Sequence, residues 1–363
     1  MRRPFPPLDL IVALVVVAAV AASCGTSGVE LADEAQAAAP AESTSSTSTT
    51  SSTTTTTTTS STTTSTTTTT TTPTLPPAPL ARTDSGTPLN EQTRGVLITP
   101  TDVRAPVIGR TDAGWRVWTP CGNETDIADG TYVETVDVVL DPGHGGTEPG
   151  ATGANGVIEK DLNIVVSGLV AQGLESLGHT VLQTRTTDIR VPLLTRAEIA
   201  HAVDARAFVS IHHNAGTDAP STDPGTEVFH QIESAESRRL AGLLQEEIYA
   251  AMSVHDVAWV SIEPTGAQVR ANREGGDFYG VLRRSAGIPA AIAEGAYLSN
   301  PPEADLLARP DVQQQEADAI VRAIDRFLTS DDPGSGFVDD PVFRGHASSG
   351  TGRATNCTDP VMG

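Results

Sequence analysis

Positive charge is scarce in this chain of 363 residues. Lysine and arginine together number 23 against 45 aspartates and glutamates, which gives a formal net charge of -22, and Lys160 is the only lysine. A protein that binds nucleic acid needs a basic surface to neutralise the phosphates. The composition therefore predicts no nucleic-acid partner.

The chain also lacks an apolar run long enough for an ordinary membrane-spanning helix. Its most apolar stretch, "LIVALVVVAAVAASC", follows Arg2 and Arg3 and is shorter than the ~20 residues that such a helix needs. A basic start, a short apolar core and small residues at its end are typical of an export signal. We therefore expect a signal peptide over residues 1–23 and an exported protein of the cell envelope. Cys24 follows small residues, as in a bacterial lipoprotein signal, and a lipid there would form a membrane tether; a plain cleaved signal and an uncleaved anchor are the alternatives.

Cysteine is rare as well, with three in the chain. If Cys24 is set aside for a lipid, Cys121 and Cys357 remain, and cysteines left over in an exported protein can pair. We expect this disulfide, which would fold the irregular tail at 331–363 back against the segment around Cys121. Two free thiols are the alternative.

Apolar residues are almost absent between Glu42 and Thr72, where the chain is nearly all serine and threonine. Such a stretch cannot bury enough apolar surface to offset the entropy that is lost on ordering. The proline-rich stretch "PTLPPAPLA" continues it as a stiffer piece. We therefore predict a disordered spacer over residues 24–90.

Patterns of folded structure begin after the spacer. Short alternating stretches such as "GVLITP" and "GWRVWTPCG" predict a small β-rich segment at 91–134. From 135 to 330, strand and helix patterns alternate: "VDVVL" and "AFVSIHHNA" are apolar strands, apolar residues recur at helical spacing from Leu162 to Leu177 with Gly178 suited to the helix end, and another helix is capped by Ser234. This alternation predicts an α/β domain with a mostly parallel central sheet and helices on both faces.

Polar residues stand where three of the predicted strands end. His144 follows the first strand, His212 and His213 end another, and Glu294 ends a later one, while Glu159 opens the helix after the first strand. Each alone has an ordinary explanation, such as an exposed turn histidine, a glutamate that complements a helix dipole or a buried, paired carboxylate. Because parallel sheets carry their sites at the carboxyl ends of strands, two histidines and a glutamate can converge there, bind Zn2+ and leave one position open for water. A further carboxylate nearby could accept the proton of that water.

Four motifs, in this order, resemble those of the zinc-dependent N-acetylmuramoyl-L-alanine amidases, which hydrolyse peptidoglycan: "LDPGHGG", "EKDLN", "SIHHNA" and "AEGAYLSN". The resemblance covers roughly residues 136–328 and implies a three-layer fold of the phosphorylase/hydrolase-like kind. It also implies that His144, Glu159 and His212 bind the Zn2+ and that Glu294 is the catalytic carboxylate.

Three further residues bear on this assignment. His213 is the alternative imidazole, but side chains alternate along a strand, so His212 and His213 face opposite ways and we assign the ligand to His212. Arg185 and Arg196 also stand at positions that match the family, with no role assigned to either.

The resemblance implies an exported zinc hydrolase whose partner is peptidoglycan. It would cleave the amide between the lactyl group of N-acetylmuramic acid and the L-alanine of the stem peptide, in cell-wall remodelling or cell separation. Two alternatives stay open: a zinc peptidase that cuts within the stem peptide, and a peptidoglycan-binding protein without activity. The intact set of four residues disfavours the binder. The sequence identifies no protein activator and no role for the 91–134 segment.

Overall fold

The computed structural model describes residues 93–215, 225–257, 266–338 and 357–363. The expected signal peptide at 1–23, Cys24 and the expected spacer at 24–90 lie outside these residues. Within the described part of the chain, no helix is both long and apolar enough to cross a membrane.

The first five strands form a sheet of their own. They are β1 (Val96–Ile98), β2 (Arg104–Thr111), β3 (Gly114–Trp118), β4 (Glu124–Ile127) and β5 (Thr131–Val133). Their order is β4-β3-β2-β1-β5, and every neighbouring pair is antiparallel. Gly114 allows the tight β2–β3 turn, because its φ of +132° suits glycine and a Cβ there would lie 2.3 Å from the Ile127 carbonyl oxygen.

Six strands form the second sheet. They are β6 (Val138–Pro142), β7 (Val181–Gln183), β8 (Ala207–Asn214), β9 (Glu227–His230), β10 (Ala267–Gln268) and β11 (Ala290–Tyr297), in the order β10-β9-β11-β8-β6-β7. Parallel pairing joins β6 to β7 and β8, β11 to β8, and β10 to β9. The β9–β11 pair is antiparallel.

These pairings correct the predicted architecture in part. The α/β class is confirmed, because helices and strands alternate through the second sheet. A mostly parallel sheet does not describe the molecule as a whole, since β9 runs against β11 and the five-stranded sheet is antiparallel throughout. The sequence patterns overlooked the antiparallel β9, "EVFH", which is short and buried along its whole length.

Helices cover both faces of the six-stranded sheet. They are α1 (Glu159–Ser176), α2 (Leu193–Ala202), α3 (Ala235–Met252), α4 (Gly280–Arg284), α5 (Pro301–Leu307) and α6 (Pro310–Thr329). Val138 and Leu140 of β6 pack with α1, α3 and α6, whereas Val139 packs with α2 and α4. This alternation is why Val138, Val139 and Leu140 are all apolar, and each such side chain contributes about 1.5–3 kcal/mol when fully buried.

Two helix ends behave as the sequence predicts. The Ser234 side chain accepts a hydrogen bond of 3.1 Å from the Ser237 N–H, as an N-cap does. Gly178 follows α1 with a φ of +93°, which ends the helix in the left-handed conformation. The start of α1 also agrees with the sequence, because the helix begins at Glu159, the residue predicted to open it.

The predicted disulfide between Cys121 and Cys357 is confirmed. It ties the end of the chain to the turn between β3 and β4. The Asp359 carboxylate accepts hydrogen bonds at the same turn from the Thr119 hydroxyl, the Cys121 N–H and the Asn123 amide, at 2.7–2.8 Å. Met362 adds its side chain to the apolar core of the five-stranded sheet.

Candidate metal and catalytic site

Neighbouring elements of the six-stranded sheet bring the predicted site residues to one edge. His144 lies just after β6, His212 lies near the end of β8, Glu294 lies in β11, and Glu159 is the first residue of α1. Strands β6, β8 and β11 are adjacent, and Glu294 stands directly beside His212 in the ladder. The carboxyl ends of parallel strands therefore meet here, as in other open α/β sheets.

Three of these side chains form a compact group of possible metal ligands. One ligand atom from each of His144, Glu159 and His212 lies within 4.8 Å of the others. Glu159 Oε1 is 2.9 Å from His212 Nδ1 and 3.2 Å from His144 Nε2. The other carboxylate oxygen, Oε2, accepts a hydrogen bond of 2.7 Å from the Ala151 N–H. Two imidazoles and a carboxylate are a donor set that suits Zn2+ and leaves a coordination position open.

Electrostatics favour the protonation states that bind a metal. Burial acts to raise the pKa of Glu159, but hydrogen bonds and charge interactions with the two imidazoles outweigh it and hold the pKa well below its ordinary value. Burial lowers the pKa of His212, and its hydrogen bond to the Glu159 carboxylate only partly opposes this. A deprotonated carboxylate and a neutral imidazole are the forms that coordinate cations.

Glycines around His144 make room for the group. His144 itself has a φ of +61°, an uncommon backbone conformation for a residue with a Cβ. A Cβ at Gly143 would lie 2.1 Å from the His212 ring, and a Cβ at Gly150 would lie 2.3 Å from Glu159 Oε2. Any side chain at either position would therefore displace one of the possible ligands.

Two buried arginines hold the backbone that carries His144. Arg185 donates hydrogen bonds of 2.9 Å to the Pro142 carbonyl and 2.7 Å to the Gly143 carbonyl. Arg196 donates hydrogen bonds of 2.8 Å to the Pro142 carbonyl and 2.6 Å to the His144 carbonyl. Burial lowers the pKa of Arg185 to about 10, which leaves its side chain charged at neutral pH. Both residues stand at the two positions noted in the sequence without a role, and the structure shows what they contact.

Arg196 is itself held by an ion pair. Its Nη1 lies 2.6 Å from Asp141 Oδ1, and the side chains of both residues are almost completely buried. Thr184 and Ser210 also donate hydrogen bonds to the Asp141 carboxylate. Removing one partner of such a pair leaves a buried charge uncompensated, which costs about 3–5 kcal/mol.

Glu294 lies beside the ligand group but is not one of its members. Burial raises the pKa of Glu294 well above its ordinary value, the charges of Glu159 and Glu227 add to the rise, and Arg270 acts against it. Its Oε2 is buried and has no hydrogen-bond partner among the described residues. Such an oxygen is available to a water molecule or a substrate group that enters the site.

The adjacent histidine, His213, lies on the other face of β8. Its Nδ1 is 2.8 Å from Asn163 Oδ1, and its Nε2 is 3.2 Å from the Glu316 carboxylate. Both ring nitrogens thus have partners, and the residue is almost fully buried. The alternation of side chains along β8 therefore separates His213 from the ligand group.

Sequence reasoning missed the two partners of His213. Asn163 lies on the buried face of α1, four residues after Glu159, and donates a hydrogen bond of 3.2 Å to the Gly143 carbonyl. Glu316 lies on the buried face of α6, four residues from both Val312 and Ile320. A polar residue in the apolar stripe of a helix was the signal that could have identified both.

Comparison with known proteins adds family membership to this geometry. A family model described as N-acetylmuramoyl-L-alanine amidase matches residues 138–326. The match includes all four site residues and ends before the tail, and it excludes the five-stranded sheet.

Individual proteins show the same likeness. An uncharacterized protein of Bacillus subtilis, YqiI, is 34% identical over 219 residues, which are 59% of this chain and 97% of that protein. The N-acetylmuramoyl-L-alanine amidase AmiC of Neisseria meningitidis is 30% identical, and the match covers 53% of each chain; this chain thus spans about half the length of that relative. Among solved structures, the N-acetylmuramoyl-L-alanine amidase AmiC2 of Nostoc punctiforme matches with 33% identity and a TM-score of 0.45, over 53% of this chain and 96% of that chain.

Proposed function

The chain belongs to the N-acetylmuramoyl-L-alanine amidase family, as its four motifs predict, and from this premise we propose that it is a zinc-dependent hydrolase of peptidoglycan. The bond that it cleaves is the amide between the lactyl carbonyl of N-acetylmuramic acid and the nitrogen of L-alanine. The single observation that carries the proposal is the convergence of His144, Glu159 and His212 beside the buried carboxyl of Glu294.

Zinc is the cofactor that best fits the ligand group. His144, Glu159 and His212 would hold it, since two imidazole nitrogens and one carboxylate oxygen within 4.8 Å match a three-ligand catalytic site. When bound, the ion supplies Lewis-acid polarisation of the carbonyl and makes water more acidic. The remaining chemistry belongs to side chains of this protein.

We assign proton transfer to Glu294. The attacking water forms a new C–O bond at the lactyl carbon, and its proton passes to the Glu294 carboxylate. The same proton then moves to the L-alanine nitrogen as the C–N bond breaks, so that the products are a free amine and a lactyl carboxylic acid, which keeps the second proton of the water until it ionises in solution. This role follows from the position of Glu294 next to His212 and from its Oε2, which is buried without a partner among the described residues. A positioned acid–base group of this kind contributes roughly 100- to 10,000-fold in rate.

Arg185 and Arg196, which we call the arginine clamps, fix the position at which the reaction takes place. Arg185 and Arg196 hold three successive carbonyls, those of Pro142, Gly143 and His144. Because both side chains are buried, the His144 imidazole keeps one direction relative to the rigid end of β6. Catalysis by positioned groups depends on this kind of preorganisation.

Digestion of purified peptidoglycan, with mass spectrometry of the products, tests the proposal. We expect stem peptides with a free L-alanine amino terminus and glycan strands with a free lactyl carboxylate. Cleavage between two amino acids of the stem would make the protein a peptidase instead. If the strands stay intact after incubation with zinc-loaded protein, the protein would be a peptidoglycan binder that does not hydrolyse its ligand.

We also propose that the enzyme acts outside the cytoplasm. The support is the signal-like pattern at 1–23 and the disulfide, which is typical of exported proteins. Lipid attachment at Cys24 would leave the catalytic residues on a long serine- and threonine-rich tether. Mass spectrometry of protein that is exported by its own signal, compared with Cys24→Ala, distinguishes a lipid anchor from a cleaved or retained signal.

A further inference from the structure

The five-stranded sheet lies outside the stretch that matches the family, yet it contacts the catalytic part beside the His144 backbone. Two loops are central to this contact. We call residues 143–148, which carry His144, the metal loop, and residues 185–190, which follow β7, the bracing loop. The bracing loop touches the metal loop on one side and the five-stranded sheet on the other.

The bracing loop supports the metal loop directly. Besides the bonds from Arg185, the Asp188 carboxylate accepts a hydrogen bond of 2.7 Å from the Gly146 N–H. The Ile189 carbonyl oxygen lies so close to Gly145 that a Cβ there would be 2.2 Å from it. At Gly145 the two loops therefore approach each other backbone against backbone.

The bracing loop is also joined to the five-stranded sheet. Thr186, the residue after the Arg185 clamp, accepts a hydrogen bond of 2.8 Å from Arg104 and donates one to the Asp102 carboxylate. Asp102 and Arg104 form an ion pair of 2.9 Å with each other. The Ile189 side chain packs against the apolar core of the same sheet.

A second set of contacts connects the five-stranded sheet to Arg196, the other arginine clamp. The hydroxyl of Thr195, which is fully buried, donates a hydrogen bond of 2.8 Å to the Pro120 carbonyl in the β3–β4 turn. Thr195 directly precedes Arg196 in α2, and Arg196 binds the His144 carbonyl. The Cys121 disulfide and the Asp359 carboxylate hold this β3–β4 turn in place.

We propose that the five-stranded sheet, together with the tail that is bonded to it, positions the metal loop, and that Thr186 and Thr195 are the positioning residues. Each threonine is adjacent in sequence to one of the two arginine clamps, so a shift of the backbone at either threonine moves the guanidinium that holds the His144 carbonyl or its neighbour. The sheet thereby sets the direction of the His144 imidazole, although it supplies no ligand. This inference rests on the proposed zinc site.

Metal affinity tests the inference directly, because it reports ligand geometry without any turnover. The full chain, purified after export, is compared with Thr186→Val, Thr195→Val and the double variant by competition for Zn2+ with a chelator. We expect the double variant to bind about 10-fold more weakly, the low end of the loss that follows removal of outer partners of metal ligands. Each single variant should lose about 3-fold if the two contacts act independently. The visible spectrum of the Co2+-loaded double variant should also differ from that of the wild type.

Two controls separate positioning from a general loss of stability. The double variant Thr186→Ser/Thr195→Ser keeps both hydroxyls and should bind Zn2+ as the wild type does. Thr131→Val changes an exposed threonine of the same sheet and should alter neither affinity nor the cobalt spectrum. If Thr195→Val fails to fold, the half-buried Thr186→Val decides the question alone.

The outcomes are distinct. The expected loss of affinity is about 10-fold. If the valine variants instead bind Zn2+ within about 2-fold of Thr131→Val and keep the cobalt spectrum, the five-stranded sheet is attached to the catalytic part without positioning the metal loop. A wild-type chain that binds no Zn2+ overturns the proposed function, and this inference with it. Zinc bound equally by the wild type and by the valine variants overturns this inference only.

Discussion

The two faces of strand β8 place the same residue type in opposite surroundings. His212 has a side chain that is 20% exposed and lies beside Glu159 and His144, whereas the His213 side chain is fully buried between Asn163 and Glu316. The two imidazoles are neighbours in the chain, and only the alternation of the strand separates them. The face of the strand, and not the residue type alone, therefore decides which imidazole lies in the group of possible ligands.

The difference lies in how completely each imidazole is satisfied. Both ring nitrogens of His213 have fixed partners on α1 and α6. On the open face, one carboxylate oxygen of Glu159 is shared between His144 and His212, so a cation could take the central place. We therefore propose that one face serves stability and the other metal binding, and variants on the two faces should behave differently.

The largest expected effect is that of His212→Ala. This change removes one of the three proposed ligands, so we expect loss of the bound Zn2+ together with loss of hydrolysis by roughly 1,000-fold or more. The magnitude follows because Lewis-acid assistance contributes several kcal/mol and each 1.4 kcal/mol is a factor of ten. Metal analysis and digestion of peptidoglycan check it. A variant that keeps its zinc while His213→Ala loses it would reverse the assignment of the two faces.

Glu294→Gln should have the next largest effect on activity. The amide keeps the shape of the carboxyl but cannot accept the proton of water, so hydrolysis should fall by roughly 100-fold or more. Zinc should stay bound, since Glu294 is not a proposed ligand. Glu236→Gln, on the exposed surface of α3, is the matched control and should retain full activity. Loss of zinc in the Glu294 variant would make this residue a ligand.

His213→Ala should affect stability rather than chemistry. It leaves the buried Glu316 carboxylate and the Asn163 side chain without their partner. Removing one member of a buried pair lowers the free energy of unfolding by about 3–5 kcal/mol. Urea unfolding measures this loss, and metal analysis of the folded fraction should still find zinc. If unfolding is unchanged and zinc is lost, the buried face does not have the structural role described here.

Glu303 extends the comparison to a buried carboxyl that the site does not use. Burial raises its pKa to about 7, although the N–H groups of Tyr297 and Gly225 donate to it. A folded-state pKa above the unfolded value penalises the ionised form, so the penalty is absent below pH 4.5 and grows as the pH rises to about 7. By pH 7 it amounts to about 3 kcal/mol, taken from the pKa difference at 1.36 kcal/mol per unit.

Glu303→Gln should remove this dependence. Between pH 4.5 and 7, the unfolding free energy of the wild type should fall relative to that of the variant, while the zinc content of both proteins stays equal. Urea titrations at several pH values make the comparison. A constant difference between the two proteins would show that Glu303 ionises normally in the fold.

Local sequence patterns predicted many of the strands and helix ends, because these features depend on residues that are neighbours in the chain. The continuous apolar strand that ends before His144, the capping Ser234 and the helix end at Gly178 are each readable from a few adjacent residues. The motifs also identified the residues that the structure brings together at the sheet edge. The antiparallel strand β9 was not predicted, because a strand of four residues is too short to show a clear periodic pattern or to indicate its partner.

The sequence by itself determined the α/β class, the family and the residue types of the site, since these depend on periodicity and on short motifs. Only the tertiary structure decided that Glu316 is the partner of the buried His213, and that Thr186 and Thr195 join a separate sheet to the buried arginines. The physical reason is distance along the chain. His213 and Glu316 are 103 positions apart, and Thr195 and Pro120 are 75 apart, so no local pattern encodes contacts that form only when the sheets and helices pack.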